Sequence, residues 1–162
     1  MKYAVPVLFT LFTLSSCSSN TQTTQAMQHQ IDSLEQVMSK SYKPGFGEFM
    51  TYVQAHHQKL WFAGQHQNWK LADFELNEIK ETMGKIQQFE TDRKESKLVP
   101  MILPALDSVS AAIQKKDAKK FNHSFTVLTN TCNQCHTAAQ YPFNVVKVPD
   151  KNSFPNQDFR VQ

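Results

Sequence analysis

The chain has 162 residues, 40% of them hydrophobic, which suits one ordinary domain with a real core. Only four glycines occur, and no Asn-Gly or Asp-Gly hairpin signal, which argues against an all-β fold. The formal charge of +3 falls by one if Lys2 is removed, and the lysines are dispersed beside acids, so no nucleic-acid partner is expected.

Residues 1–16 have the pattern of an export signal: Met1-Lys2, an apolar run from Tyr3 to Leu14, then Ser15-Ser16-Cys17. The run is too short to span a membrane. Leu14-Ser15-Ser16-Cys17 resembles the lipobox of bacterial lipoproteins, which implies acylation of Cys17 and stable attachment to a membrane surface. An ordinary signal peptide with an unrelated cysteine is the plainer alternative. Residues 17–45 are expected to form a tether and a short amphipathic helix. Ser18 to Gln25 is polar and aperiodic, the pattern of a flexible tether. Met27, Ile31, Leu34 and Met38 then recur at helical spacing up to Lys40, and Pro44-Gly45 breaks the pattern.

Four core helices are expected over residues 46–140. The first runs from Phe46 to Ala63 on the seam Phe46, Met50, Val53, His57 and Leu60, with Gly64 at its C-cap. Asn68 is a suitable N-cap for the second, whose seam is Trp69, Ala72, Leu76, Ile79, Met83, Ile86 and Phe89. Glu95 to Leu98 reads as a loop. The third helix is expected from about Val99, bent at Pro104, with Leu106, Val109 and Ile113 inward. The fourth, from Ala118 to Ala139, keeps a three-four alternation through Phe121, Phe125, Leu128, Cys132, Cys135 and Ala139. Short loops and one seam per helix predict an all-α, antiparallel four-helix bundle. Residues 141–162 are not helical, because Pro142, Pro149 and Pro155 forbid it. Phe143, Val145, Val146, Val148, Phe154 and Phe159 are nevertheless too apolar for a free tail, so an extended segment packed on the bundle is expected.

Cys132-Asn133-Gln134-Cys135-His136 is the most informative stretch. Cys-x-x-Cys-His is the attachment sequence of a c-type haem. Each thiol adds across one vinyl group, and residues three and four apart share a helix face, so His136 falls beneath the iron as proximal ligand. Other chemistries fit less well. Structural zinc needs four ligands, and there is neither a second cysteine pair nor a His-x3-5-His pair. A thioredoxin-like centre sits at a helix start, where the dipole lowers a thiol pKa. A plain disulfide leaves His136 without a role. One lipid anchor plus two thioethers also uses all three cysteines.

A haem motif on the last of four helices resembles the class II cytochromes, cytochrome c-prime and its low-spin relatives. The resemblance covers Phe46 to Ala139. His57-Gln58-Lys59-Leu60-Trp61-Phe62-Ala63-Gly64 with Asn68-Trp69-Lys70-Leu71-Ala72 also looks like a group of bacterial monohaem proteins. The resemblance implies one covalent haem c in a four-helix bundle, and it leaves a homodimer open. The extra N-terminal helix and the apolar tail depart from the class II pattern.

Function then turns on the sixth iron position. No Met, His or Cys follows His136. In an up-down bundle the end of the fourth helix lies level with the start of the first, which places Met50 opposite His136. The low-spin relatives use a methionine from this region, and a thioether there raises the reduction potential. Met50 could equally be core packing. His57, two turns deeper, is the weaker alternative ligand and fits better as a hydrogen-bonded core residue. His56 is expected to point elsewhere, and His29, His66 and His123 to be solvated. Trp61 and Trp69 are weighed as haem walls against plain packing, and Lys59 as a propionate partner. His136 should donate its other ring nitrogen to a carbonyl or a water.

The resulting expectation is a membrane-tethered monohaem cytochrome of the cell envelope, facing the periplasm or exterior. It would carry single electrons to a partner protein and catalyse no bond chemistry, since no nucleophile-base set accompanies the motif. The alternatives are a five-coordinate haem protein that binds or senses small gases, and a haem-free structural lipoprotein.

Overall fold

The computed structural model describes residues 19–41 and 44–161, in two compact units, Met1–Tyr42 and Lys43–Gln162. The export signal and Cys17 lie outside the described residues. All regular structure among the described residues is helical.

The first unit contains α1, Ser19–Lys40. The helix therefore starts within the stretch expected to be a flexible tether. That stretch holds no glycine or proline, and glutamine and alanine propagate a helix well. Met27, Ile31, Leu34, Val37 and Met38 are all exposed on α1.

The second unit contains α2 (Phe46–Gln65), α3 (Trp69–Phe89), a 3-10 helix (Lys94–Ile102), α4 (Leu103–Gln114) and α5 (Ala118–Ala138). The seams account for the core. Val53 and Leu60 of α2, Leu76, Ile79 and Ile86 of α3, Leu106, Val109 and Ile113 of α4, and Phe121, Phe125 and Leu128 of α5 form one buried cluster. The Asn68 side chain accepts from the Leu71 amide at 3.3 Å and caps α3. Asp117 does the same for α5, accepting from Lys120 at 3.0 Å.

Three local expectations need correction. Gly64 does not end α2. It lies inside the helix, where a Cβ would collide with the Phe121 ring, so glycine is required there for close approach. The left-handed position after α2 is instead Gln67, at φ 54°. The segment expected as a loop after Glu95 is a 3-10 helix that buries Glu95, Ser96, Val99 and Ile102. Pro104 does not bend a helix, because α4 begins at Leu103 and the proline falls in the first turn, where no hydrogen bond is lost. The stretch Lys94–Gln114 is long and apolar enough to cross a membrane, but Val99, Ile102, Leu106, Val109 and Ile113 are buried in the core.

Contacts along α2 and α5 fix their relative direction. Gln65 bonds Asn122, the Trp61 ring packs tilted against Phe125 and His57 bonds Thr129. Numbers fall along one helix as they rise along the other, so the two run antiparallel. The start of α2 therefore lies beside the end of α5.

Candidate functional site

Helix α5 stops just after the Cys-x-x-Cys-His sequence. The Tyr141 amide donates to the His136 carbonyl at 2.7 Å and the Gln140 amide to Thr137 at 3.0 Å, with Gln140 left-handed at φ 70°. This is a Schellman turn, which satisfies the last carbonyls and reverses the chain. The reversal sends residues 141–148 back along the helix end as a strap. Farther on, the tail is held by Gln58, which donates to the Lys151 carbonyl at 2.7 Å, and by Phe159, buried against Phe62.

Between the strap, the start of α2 and the 3-10 helix lies a cavity of about 430 Å3. Small-molecule and cofactor sites span roughly 300–1,000 Å3. Phe46, Met50, Val53 and His57 of α2 line it, with Met83 of α3 and Val99 and Ile102 of the 3-10 helix. Cys132, Cys135, His136 and Ala139 of α5 form the facing wall, and Tyr141, Asn144, Val145 and Val146 of the strap complete it. The motif residues and both proposed sixth ligands, Met50 and His57, thus share one cavity.

The chemistry of the wall is specific. Cys132 and Cys135 are free thiols, not a disulfide. Burial pushes Cys132 up to about 12, with Cys135 beside it adding to the effect, and burial raises Cys135 as well. A redox-active thiol pair needs the opposite shift, which disfavours a thioredoxin-like centre. His136 Nδ1 lies 2.6 Å from the Asn144 carbonyl oxygen. A carbonyl only accepts, so Nδ1 carries a proton and, in the neutral ring, Nε2 keeps its lone pair.

His57 is 4% exposed and bonded differently. The Thr129 hydroxyl donates to the Phe125 carbonyl at 3.0 Å, so it accepts from His57 Nε2 at 2.9 Å. Burial lowers its pKa to about 4 and keeps the ring neutral. His56 turns to α3, where its Nδ1 meets the buried Glu75 carboxylate at 2.7 Å.

Sequence reasoning missed the polar rim. Arg93 lines the cavity, pairs with Glu95 at 3.3 Å and lies 5.1 Å above the Phe46 ring. Tyr141 donates to Glu95 at 3.2 Å. The backbone N–H of Glu95 itself, then Arg93 and Tyr141, hold its carboxyl below the usual range. The expected alternatives are elsewhere. Lys59 lies 4.9 Å over Phe154, while Trp61 and Trp69 pack on Phe121 away from the cavity. No spacing rule marks Arg93. Its only sequence signal is a cation ahead of a buried apolar run.

No known protein family, curated protein or solved structure matches this chain.

Proposed function

We propose that the chain is a monohaem c-type cytochrome that carries single electrons, its helices α2 to α5 forming a cytochrome c-prime-like antiparallel four-helix bundle. One observation carries the reading: both motif thiols, His136 and the Met50 thioether line the same cavity. The donor set fits the group. Two unbridged thiols lie one helical turn apart, and His136 has its Nε2 lone pair free because Nδ1 is committed to Asn144. Among the described residues, no three His, Cys, Asp or Glu side chains gather to hold a bare metal ion. A porphyrin brings four nitrogens of its own, so His136 and one further donor suffice.

Bound haem supplies a one-electron iron couple. The chain's part is to anchor it through Cys132 and Cys135, to ligate it through His136 and to exclude water with Phe46, Met50, Val99 and Ile102. Arg93 at the rim is the cation placed for a propionate, a role that Lys59 does not fill. Met50 is the proposed sixth ligand, since its soft thioether has no competing partner among the described residues, whereas His57 Nε2 is engaged by Thr129. The assigned setting is the cell envelope, with Cys17 as lipid anchor to a membrane and a redox protein as partner.

The test is expression of the full chain with cytochrome c maturation machinery, followed by intact mass and a pyridine haemochrome spectrum. One haem added through two thioethers is expected, and its loss in Cys132→Ala/Cys135→Ala. Colourless protein with two titratable thiols defeats the reading. A low-spin spectrum that becomes high-spin in Met50→Ala identifies the sixth ligand. Rapid carbon monoxide binding by the reduced wild type points instead to the gas-binding alternative.

A further inference from the structure

The residues between the two cysteines of an attachment sequence are spacers, yet Asn133 makes a matched pair of hydrogen bonds. Its Nδ2 donates to the Val146 carbonyl at 2.8 Å, and its Oδ1 accepts from the Val146 amide at 2.8 Å. Only one orientation of the carboxamide satisfies both, because a backbone amide only donates and a carbonyl only accepts. Two residues earlier on the same strap, the Asn144 carbonyl accepts from His136 Nδ1.

Apolar contact holds this stretch only at its far end, where Val148 packs against the core. Phe143 is 79% exposed and Val145 71% exposed. The buried anchor of the tail, Phe159, is more than ten residues away. Between the Tyr141–Glu95 bond at one end and Val148 at the other, the strap is therefore fixed to α5 by the Asn133 carboxamide and by the His136 bond itself.

We propose that Asn133 is a positioning residue: by clamping Val146 it sets the Asn144 carbonyl that holds the His136 imidazole in its Nδ1–H form, with Nε2 turned to the cavity. The inference rests on the haem reading for its purpose, though not for its geometry. A carbonyl on the far nitrogen fixes the tautomer of a metal-ligating histidine and raises its basicity. A more basic ligand favours ferric over ferrous iron. Asn133 thus tunes the potential through two hydrogen bonds to the backbone, without touching iron or porphyrin.

The test uses the full chain in two forms. In protein made without maturation machinery and kept reduced, nitrogen NMR of His136 should show the Nδ1–H tautomer in the wild type and a mixture in Asn133→Ala. Exchange of the Val146 amide should speed about tenfold, the worth of roughly 1.4 kcal/mol. Asn133→Asp keeps the acceptor for the Val146 amide and should recover part of both effects. In haem-loaded protein, Asn133→Ala should keep the covalent haem but show a raised reduction potential. Asn68→Ala, which removes the α3 cap and a hydrogen bond to Arg160 at the far end of the tail, controls for general destabilisation and should leave the tautomer and the potential unmoved. If Asn133→Ala does not fold, Val146→Pro deletes the same amide donor from the strap side and should give the same tautomer change. An unchanged tautomer and unchanged Val146 exchange overturn the proposal even where haem attaches normally. An equal change in Asn68→Ala overturns it as well. Failure of haem attachment in the wild type defeats the haem reading and leaves the strap result standing.

Discussion

The two ends of the α2–α5 interface continue one seam and finish in opposite ways. At the far end, Leu60, Ala63, Phe121 and Phe125 are completely buried, and Trp61 lies 4.9 Å from Phe125. Trp69 meets Phe121 edge-on at 5.9 Å, and Gly64 removes its side chain to admit that ring. At the near end the seam positions are Phe46, Met50, Cys132 and Cys135, all only partly buried around the cavity. Aromatic volume closes one end, and at the other the small or soft Met50, Cys132 and Cys135 leave it open beside Phe46. The lesson is a division of labour: packing density at the closed end supplies stability, while the open end holds the groups proposed to take the haem.

That division breaks most visibly if the closed end is emptied. Phe121→Ala should cost about 3–5 kcal/mol in urea denaturation, as for a large aromatic with little room to collapse. The protein that still folds should load haem with an unchanged spectrum. A cost below about 1 kcal/mol, or a lost haem spectrum in folded protein, would erase the contrast.

Between the two ends sits His57, and acid should find it. Its folded pKa is lowered to about 4 by burial, against an unfolded value near 6.5. Between those values the unfolded chain holds more protons than the folded one. Stability is therefore full above about pH 6.5 and declines as pH falls, by about 2 kcal/mol at pH 5 and about 3 kcal/mol below pH 4. Haem-free wild type should show this loss in denaturation at pH 7 and pH 5. His57→Gln should flatten it, and an equally steep loss in that variant would assign the acid sensitivity elsewhere.

The same contrast explains how much was legible beforehand. Helix positions followed from three-four spacing, because burial of Leu76, Ile79, Phe125 and Leu128 is a one-dimensional pattern along each helix. Cys132, Cys135, His136 and Met50 were legible for a related reason: a motif names three of them, and antiparallel geometry places the fourth. What pattern could not supply was partnership across the fold. Gly64 resembles a helix stop until Phe121 is seen beside it. Arg93 and Tyr141 reach the cavity through a 3-10 helix and a strap that have no hydrophobic period. Pro104 carries the same letter in a first turn as in a kink, and only the true start of α4 at Leu103 separates the two.

The smallest effect separates the two ends again, at their left-handed residues. Gln67 after α2 and Gln140 after α5 each occupy the position that glycine usually takes in a Schellman turn. A left-handed non-glycine costs roughly 1–2 kcal/mol, and glycine gives back about 0.5–1 kcal/mol in unfolded-chain entropy. Gln67→Gly should therefore stabilise the protein by about 0.5–1 kcal/mol. At the open end the gain should be smaller, because the Gln140 side chain accepts from Lys94 at 3.2 Å and that bond would go. Thermal denaturation of the two variants side by side measures the difference. Equal gains would mean that the Lys94 contact contributes nothing, as exposed polar pairs often do. A loss at Gln140 larger than the gain at Gln67 would instead place real stability in the turn that launches the strap.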